Sequence, residues 1–185
     1  MNTLAEQAGY FLEIQDYLVA GVEGLFLDYG LPVSHSMGAG AVNVSAQSAM
    51  AVVGYAAPTM RGALLLMSSR GLIEGLQPAA IRIVSPSDAS LCDILGEFAN
   101  MLAGRIKNRL VARNVAPLLS TPAAMIGDKL SFPAPTGGMS AWHHFGSEAG
   151  TIYVRLDTTF DKDFALSDQS PALGEGEMVL FSETQ

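Results

Sequence analysis

The 185-residue chain has one cysteine, Cys92, so no intrachain disulfide can form and nothing in the cysteine count points to an oxidising compartment. Charged residues make up only 15% of it, and they are unbalanced: ten Lys and Arg against eighteen Asp and Glu, a formal net charge of −8. No basic run occurs. A phosphate-backbone partner releases counterions to clustered Lys and Arg, so nucleic acid is excluded as the expected partner. Long apolar runs are also missing. The most apolar stretches, Ala49 to Pro58 and Ala63 to Met67, fall well short of the ~20 residues of a spanning helix. No basic segment precedes an apolar one at the start, so a signal peptide is not expected. A cytoplasmic domain with no membrane partner is the expectation. Hydrophobic residues make up 49%, enough to bury a core without staples.

Apolar residues at Phe11, Ile14, Leu18, Val22, Leu25 and Phe26 predict a helix over roughly Leu4 to Tyr29, ended by Gly30 and Pro32. Alternation and small or β-branched residues predict strands within Ala41 to Tyr55, and Gly62 to Met67 reads as a buried strand. Ser68-Ser69 then cap a short helix reaching Gln77. Ile81 to Val84 fits either strand or helix. A long helix follows, with Ser85 as N-cap, Pro86 at its first position, Asp88 completing a capping-box pattern, and an end near Arg113. Pro117 and Pro122 mark a loop. Strands are expected at Lys129 to Phe132, Ser140 to Phe145 and Thr151 to Leu156, the last two joined as a hairpin. From Asp157 onward seven acids, one lysine, Pro171 and two glycines predict a loosely packed tail, with Met178 to Phe181 as a possible edge strand.

The long helix carries the chemistry. Asp93, Glu97 and Asn100 are spaced i, i+4 and i+7, which puts them on one side of a helix that advances ~100° per residue. Gly104 and Asn108 fall on the same stripe. Leu91, Leu95, Phe98, Leu102 and Ile106 occupy the opposite arc. Polar residues on a helix exterior are usually only solvated. Two details argue for more here. Gly96 and Gly104 each cost ~1 kcal/mol relative to Ala inside a helix, and glycine lets another backbone come close. Asn100 is a poor helix former with no cap to make.

Asp93-x-x-x-Glu97-x-x-Asn100, followed by Pro122, resembles the signature of the CheX/CheC/FliY chemotaxis phosphatases. The run Ile94 to Gly104 is similar to the CheX form, as are Ser120 to Gly127 and Gly62 to Gly75. The likeness spans roughly Leu4 to Asp157 and is dense only around the signature. It implies an α+β fold: an antiparallel β-sheet with two long helices packed on one face. One domain of this type is expected over residues 1–160, with an acidic extension over residues 161–185 that is not part of the likeness. It also implies hydrolysis of the aspartyl phosphate of a response-regulator receiver domain of the CheY type. Asn100 would orient the attacking water, and Glu97 would pair with the receiver's lysine. Asp93, Gly96 and Gly104 would support docking. The resemblance implies no cofactor in this chain and a Mg2+ ion on the receiver. A homodimer is expected on the same ground. A single copy of Glu-x-x-Asn matches CheX rather than the two-site CheC form. The alternative is a non-catalytic module that docks a receiver or another protein through the same helix face.

Other signals are weaker. His143 and His144 are adjacent, so on a strand they point to opposite faces and do not converge on one metal; His35 stands alone elsewhere. Gly38-Ala39-Gly40 lacks the third glycine and following helix of a dinucleotide loop. No Gly-x-Ser-x-Gly elbow is present. Cys92 falls on the buried side of the long helix, where a thiol packs rather than reacts.

Overall fold

The computed structural model describes residues 3–37, 47–76 and 86–167. Helix α1 (Leu4–Asp28) opens on a capping box: Thr3 accepts from the Glu6 amide, and the Glu6 carboxylate accepts from the Thr3 amide at 2.7 Å. It ends where Gly30 takes φ +72, a conformation glycine reaches without a Cβ penalty. Strand β1 (Ser34–Met37) follows, then β2 (Ser48–Ala57) and β3 (Met60–Ser69), which form an antiparallel pair. Ser69 caps the short helix α2 (Arg70–Gly75) by accepting from the Leu72 amide. After α3 (Asp88–Val111) come β4 (Leu118–Leu119), β5 (Ala123–Gly127), β6 (Met139–Ser147) and β7 (Gly150–Phe160).

All these strands pair antiparallel in one sheet, in the order β1-β6-β7-β3-β2, with β4 and β5 sharing the far side of β2. Both long helices lie on one face of it, as the α+β expectation requires. Ile14, Leu18, Val22 and Leu25 of α1 meet Leu91, Leu95, Phe98, Leu102 and Ile106 of α3 over Ala51, Val53, Leu64, Leu66, Val154 and Leu156 of the sheet. Full burial of a Leu or Phe contributes ~1.5–3 kcal/mol, so five such residues hold α3 firmly. Gly21 lets the two helices close up: a Cβ there would sit 3.2 Å from Leu102.

Several expectations need correction. The cap of α3 is Ser87, whose hydroxyl accepts from the Ser90 amide at 3.2 Å, so the helix starts two residues later than expected. Pro86 stands outside the helix, where its carbonyl accepts from Arg70. Ser85 lies outside the described residues, as do Ala41 to Ala46, Gly38 to Gly40 and Ile81 to Val84. Lys129 to Phe132 is not a strand. Lys129 turns the chain at φ +55, and the carbonyls of Phe132 and Pro133 accept from Arg155 instead of a neighbouring strand. Conversely, the stretch around Pro122 is more than loop, because β4 and β5 pair with β2. The chain is also well packed beyond Asp157. β7 runs to Phe160, and Phe164 and Leu166 are buried in the same core. Asp157 is tolerated inside because Arg155, two residues away on the same strand face, pairs with it at 2.7 Å. Met178 to Phe181 lie outside the described residues.

Candidate functional site

Core packing decides which side of α3 faces out. With Leu91, Leu95, Phe98, Leu102 and Ile106 all buried, Asp93, Glu97, Asn100 and Asn108 are exposed. The first three therefore form one accessible stripe, as their spacing predicts. Among the described residues, neither the Glu97 carboxylate nor the Asn100 carboxamide is held by a hydrogen bond or ion pair. The stripe stands on a backbone held by packing against α1 and the sheet, so core contacts set its Cα positions.

The two glycines differ. Gly104 is half-buried, and a Cβ built on it would meet no atom within 4 Å, which leaves open space beside Asn100. Gly96 is buried, and its Cβ would lie 3.5 Å from Cβ of Pro122. The clearance at Gly96 is thus already occupied by this chain's own Pro122. That contact brings the downstream proline of the motif against the helix. On the wheel Gly96 lies ~40° beyond Asn100, so Pro122 walls the Asn100 flank.

The other flank was not singled out by sequence reasoning. Met101 lies ~40° from Glu97 and Phe98 ~100° from it. Tyr29, at the end of α1, lays its ring on Phe98 with centroids 4.6 Å apart, and its hydroxyl donates to Sδ of Met101 at 3.6 Å. No periodic signal announces Tyr29, since it falls at a helix end.

The histidines behave as alternation predicts. His143 is buried on the helix side, with Nδ1 2.8 Å from Nε2 of His35 and Nε2 2.6 Å from Oε1 of Gln15. His144 points the other way, edge-on to Tyr153. Burial, aided by His35 and His144, pushes the His143 pKa down to about 4, with Asp16 opposing. His35 does meet His143, but through a hydrogen bond between rings. Among the described residues no three His, Cys, Asp or Glu side chains gather where they could hold a metal. Cys92 is half-buried rather than buried. Burial first, then Asp88 and Asp93, raise its pKa and keep the thiol protonated. Among the described residues no helix is long and apolar enough to cross a membrane.

Known structures share this fold. The CheX protein of Vibrio vulnificus superposes with a TM-score of 0.69 at 16% identity, covering 80% of this chain and 97% of that one. A CheC-like superfamily protein from Shewanella SP. PV-4 gives 0.66 at 17%, covering 79% and 97%. CheX in the CheX–CheY–BeF3–Mg2+ complex from Borrelia burgdorferi gives 0.60 at 16%, covering 77% and 96%. At such identities the likeness establishes the fold. No curated protein matches the chain. The family model for "Chemotaxis phosphatase CheX" matches residues 49–145, over half of the sequence and all of the α3 stripe, and so this chain belongs to the CheX family.

Proposed function

We propose that this domain hydrolyses the aspartyl phosphate of a CheY-type receiver domain. One observation carries the reading: Glu97 and Asn100 stand exposed and unengaged, one turn apart, on a helix anchored by five buried residues. The family is described as a chemotaxis phosphatase, and a relative of the same fold has been seen with CheY.

An acyl phosphate is already reactive, so its hydrolysis needs chiefly an ordered water and compensated charge. The Asn100 carboxamide has an acceptor oxygen and a donor nitrogen, so it holds a water by two hydrogen bonds without titrating. That water attacks phosphorus in line. The bond from phosphorus to the aspartyl oxygen breaks, yielding inorganic phosphate and the free carboxylate. Glu97 anchors the receiver's lysine by charge. Asp93, one turn away, adds to the negative field, and Gly104 leaves room for the receiver's backbone. Gly96 serves by seating Pro122. The divalent ion, Mg2+, belongs to the receiver, and no residue of this chain is assigned to it. On the same reading the protein acts in the cytoplasm, and we assign it a homodimeric state, which light scattering at micromolar concentration tests.

The experiment is to mix the protein with phosphorylated receivers and follow phosphate release. Release well above each receiver's own rate is expected for at least one of them. Rates equal to self-dephosphorylation for every cognate receiver would contradict the enzyme reading. Stable complex formation without acceleration would assign the face to a binding module.

A further inference from the structure

The polar stripe of α3 lies between two apolar walls from different parts of the chain. One is Pro122 against Gly96, on the Asn100 side. The other is the Tyr29–Met101 pair on the Glu97 side, with half-buried Ile94 beneath it at ~60° on the wheel. Tyr29 is 43% exposed, yet it is not loose. Its ring rests on Phe98, and its hydroxyl has a thioether, a weak acceptor, as partner. The turn at Gly30 takes the chain away immediately afterwards: the Gly30 and Leu31 amides donate to Leu27 and Phe26. The ring is thus left as a pre-positioned apolar shelf with an under-used donor at its tip.

We infer that Tyr29 and Met101 form a docking shelf for an apolar side chain of the receiver, next to the position that Glu97 anchors. This rests on the receiver-phosphatase reading and extends it to residues outside the motif. Three physical arguments support the assignment. Tyrosine combines a large apolar area with few rotors, so an ordered tyrosine at a surface binds with little entropic loss. Methionine adapts its shape to what it meets. Apolar contacts around a charged anchor also exclude water from it in the bound state, so walls on both flanks of the stripe strengthen the hold of Glu97 on its partner. The receiver is favoured over a second copy of this chain because the shelf is continuous with the stripe. An occupant seated there by another copy would cover Glu97.

Tyr29 acts in binding, not in the chemical step, so its test is a KM-against-kcat split. With a phosphorylated CheY-type receiver as substrate, Tyr29→Ala is expected to raise KM about tenfold and leave kcat within about twofold. Tyr29→Phe keeps the ring and is expected to stay near wild type. Met101→Gln keeps length and helix propensity while making the shelf polar, and is expected to raise KM without unfolding the protein, even where Tyr29→Ala lowers Tm. Leu27→Ala, an exposed leucine two residues away, is the control expected to change nothing. Unchanged KM in both Tyr29→Ala and Met101→Gln, with Asn100→Ala inactive, overturns the shelf and leaves the phosphatase reading standing. Dissociation of a dimer by Tyr29→Ala with unchanged KM also overturns it, and assigns the shelf to a second copy. Full activity in Asn100→Ala defeats the phosphatase reading itself.

Discussion

Two kinds of polar region sit within one small domain, and they are built in opposite ways. Under the sheet face away from the helices, Ser140, Arg155 and Asp157 form a linked set, in which Arg155 Nε is left without a hydrogen-bond partner among the described residues. The Asp157 carboxylate accepts from Arg155 and from the Ser140 hydroxyl at 2.6 Å, and Arg155 also donates to the carbonyls of Phe132 and Pro133. Trp142 and Phe132 flank its guanidinium. Gln15, His143 and His35 form a second linked set on the helix side, in which Gln15 Nε2 is likewise left without a hydrogen-bond partner among the described residues. On α3, by contrast, Glu97 and Asn100 are anchored only through their backbone. Buried polar groups must find partners within the chain because desolvation without a hydrogen bond is costly. Exposed groups on a rigid element are under no such demand and remain available to another molecule. The first kind specifies the fold; the second carries the proposed chemistry.

If that division holds, substitutions in the linked sets lower stability and substitutions on the stripe do not. The largest effect is expected from Asp157→Ala, which strands a buried guanidinium, with both residues of the pair only 4% exposed. Breaking such a pair costs about 3–5 kcal/mol, read as a fall in the denaturation midpoint. A loss below 1 kcal/mol would mean that water replaces the carboxylate and that the pair does not specify the fold.

The next effect is set by pH. The folded His143 pKa lies near 4, below its ordinary 6.5, so the unfolded chain takes up the proton first. The stability that neutral His143 contributes is complete above pH ~6.5 and is lost as pH falls toward about 4. Urea midpoints measured from pH 7 to pH 4 check this, and His143→Gln, which does not titrate, is expected to fall less steeply. Equal slopes for the two proteins would remove His143 from the account.

Gly104→Ala sharpens the contrast from the other side. It is expected to stabilise the domain by up to ~1 kcal/mol, because alanine is the better helix former and, among the described residues, no packing neighbour lies within 4 Å of its Cβ. The same change is expected to weaken action on the receiver by filling the clearance. Stabilisation with no effect on receiver turnover would show that the glycine serves no partner. The smallest stability effect belongs to Glu97→Ala, within about 0.5 kcal/mol of wild type by chemical denaturation. A larger loss would mean that Glu97 has a structural role.

Much of this was readable from residue order. The periodicities of α1 and α3 mark their buried faces directly: Leu91, Leu95, Phe98, Leu102 and Ile106 of α3 are all in the core, joined there by Ala99, Ala103 and Leu110. The β6–β7 hairpin was also visible, though its loop is tighter than expected, because the strands pair as far as Ser147 and Gly150. What was hidden depends on contacts distant in sequence. β5 reads Ala-Ala-Met-Ile-Gly directly after Pro122, a pattern indistinguishable from loop until β2 supplies its partner. Asp157 looked like the start of an acidic tail because a lone carboxylate carries no mark of the arginine that neutralises it. The stripe was legible since all its residues come from one helix. Of its walls, Pro122 is marked in the sequence only as the downstream proline of the motif, and Tyr29 is unmarked because it arrives from the end of α1, far from α3 in the chain.

Asn100→Ala, assayed beside wild type, tests the central claim most directly. The account predicts a thermal midpoint no lower than that of wild type, since alanine is the better helix former, together with a loss of receiver dephosphorylation of about 100-fold or more, the scale on which one positioned hydrogen-bonding group acts in a transition state. Undiminished phosphate release by a fully folded Asn100→Ala protein would contradict it.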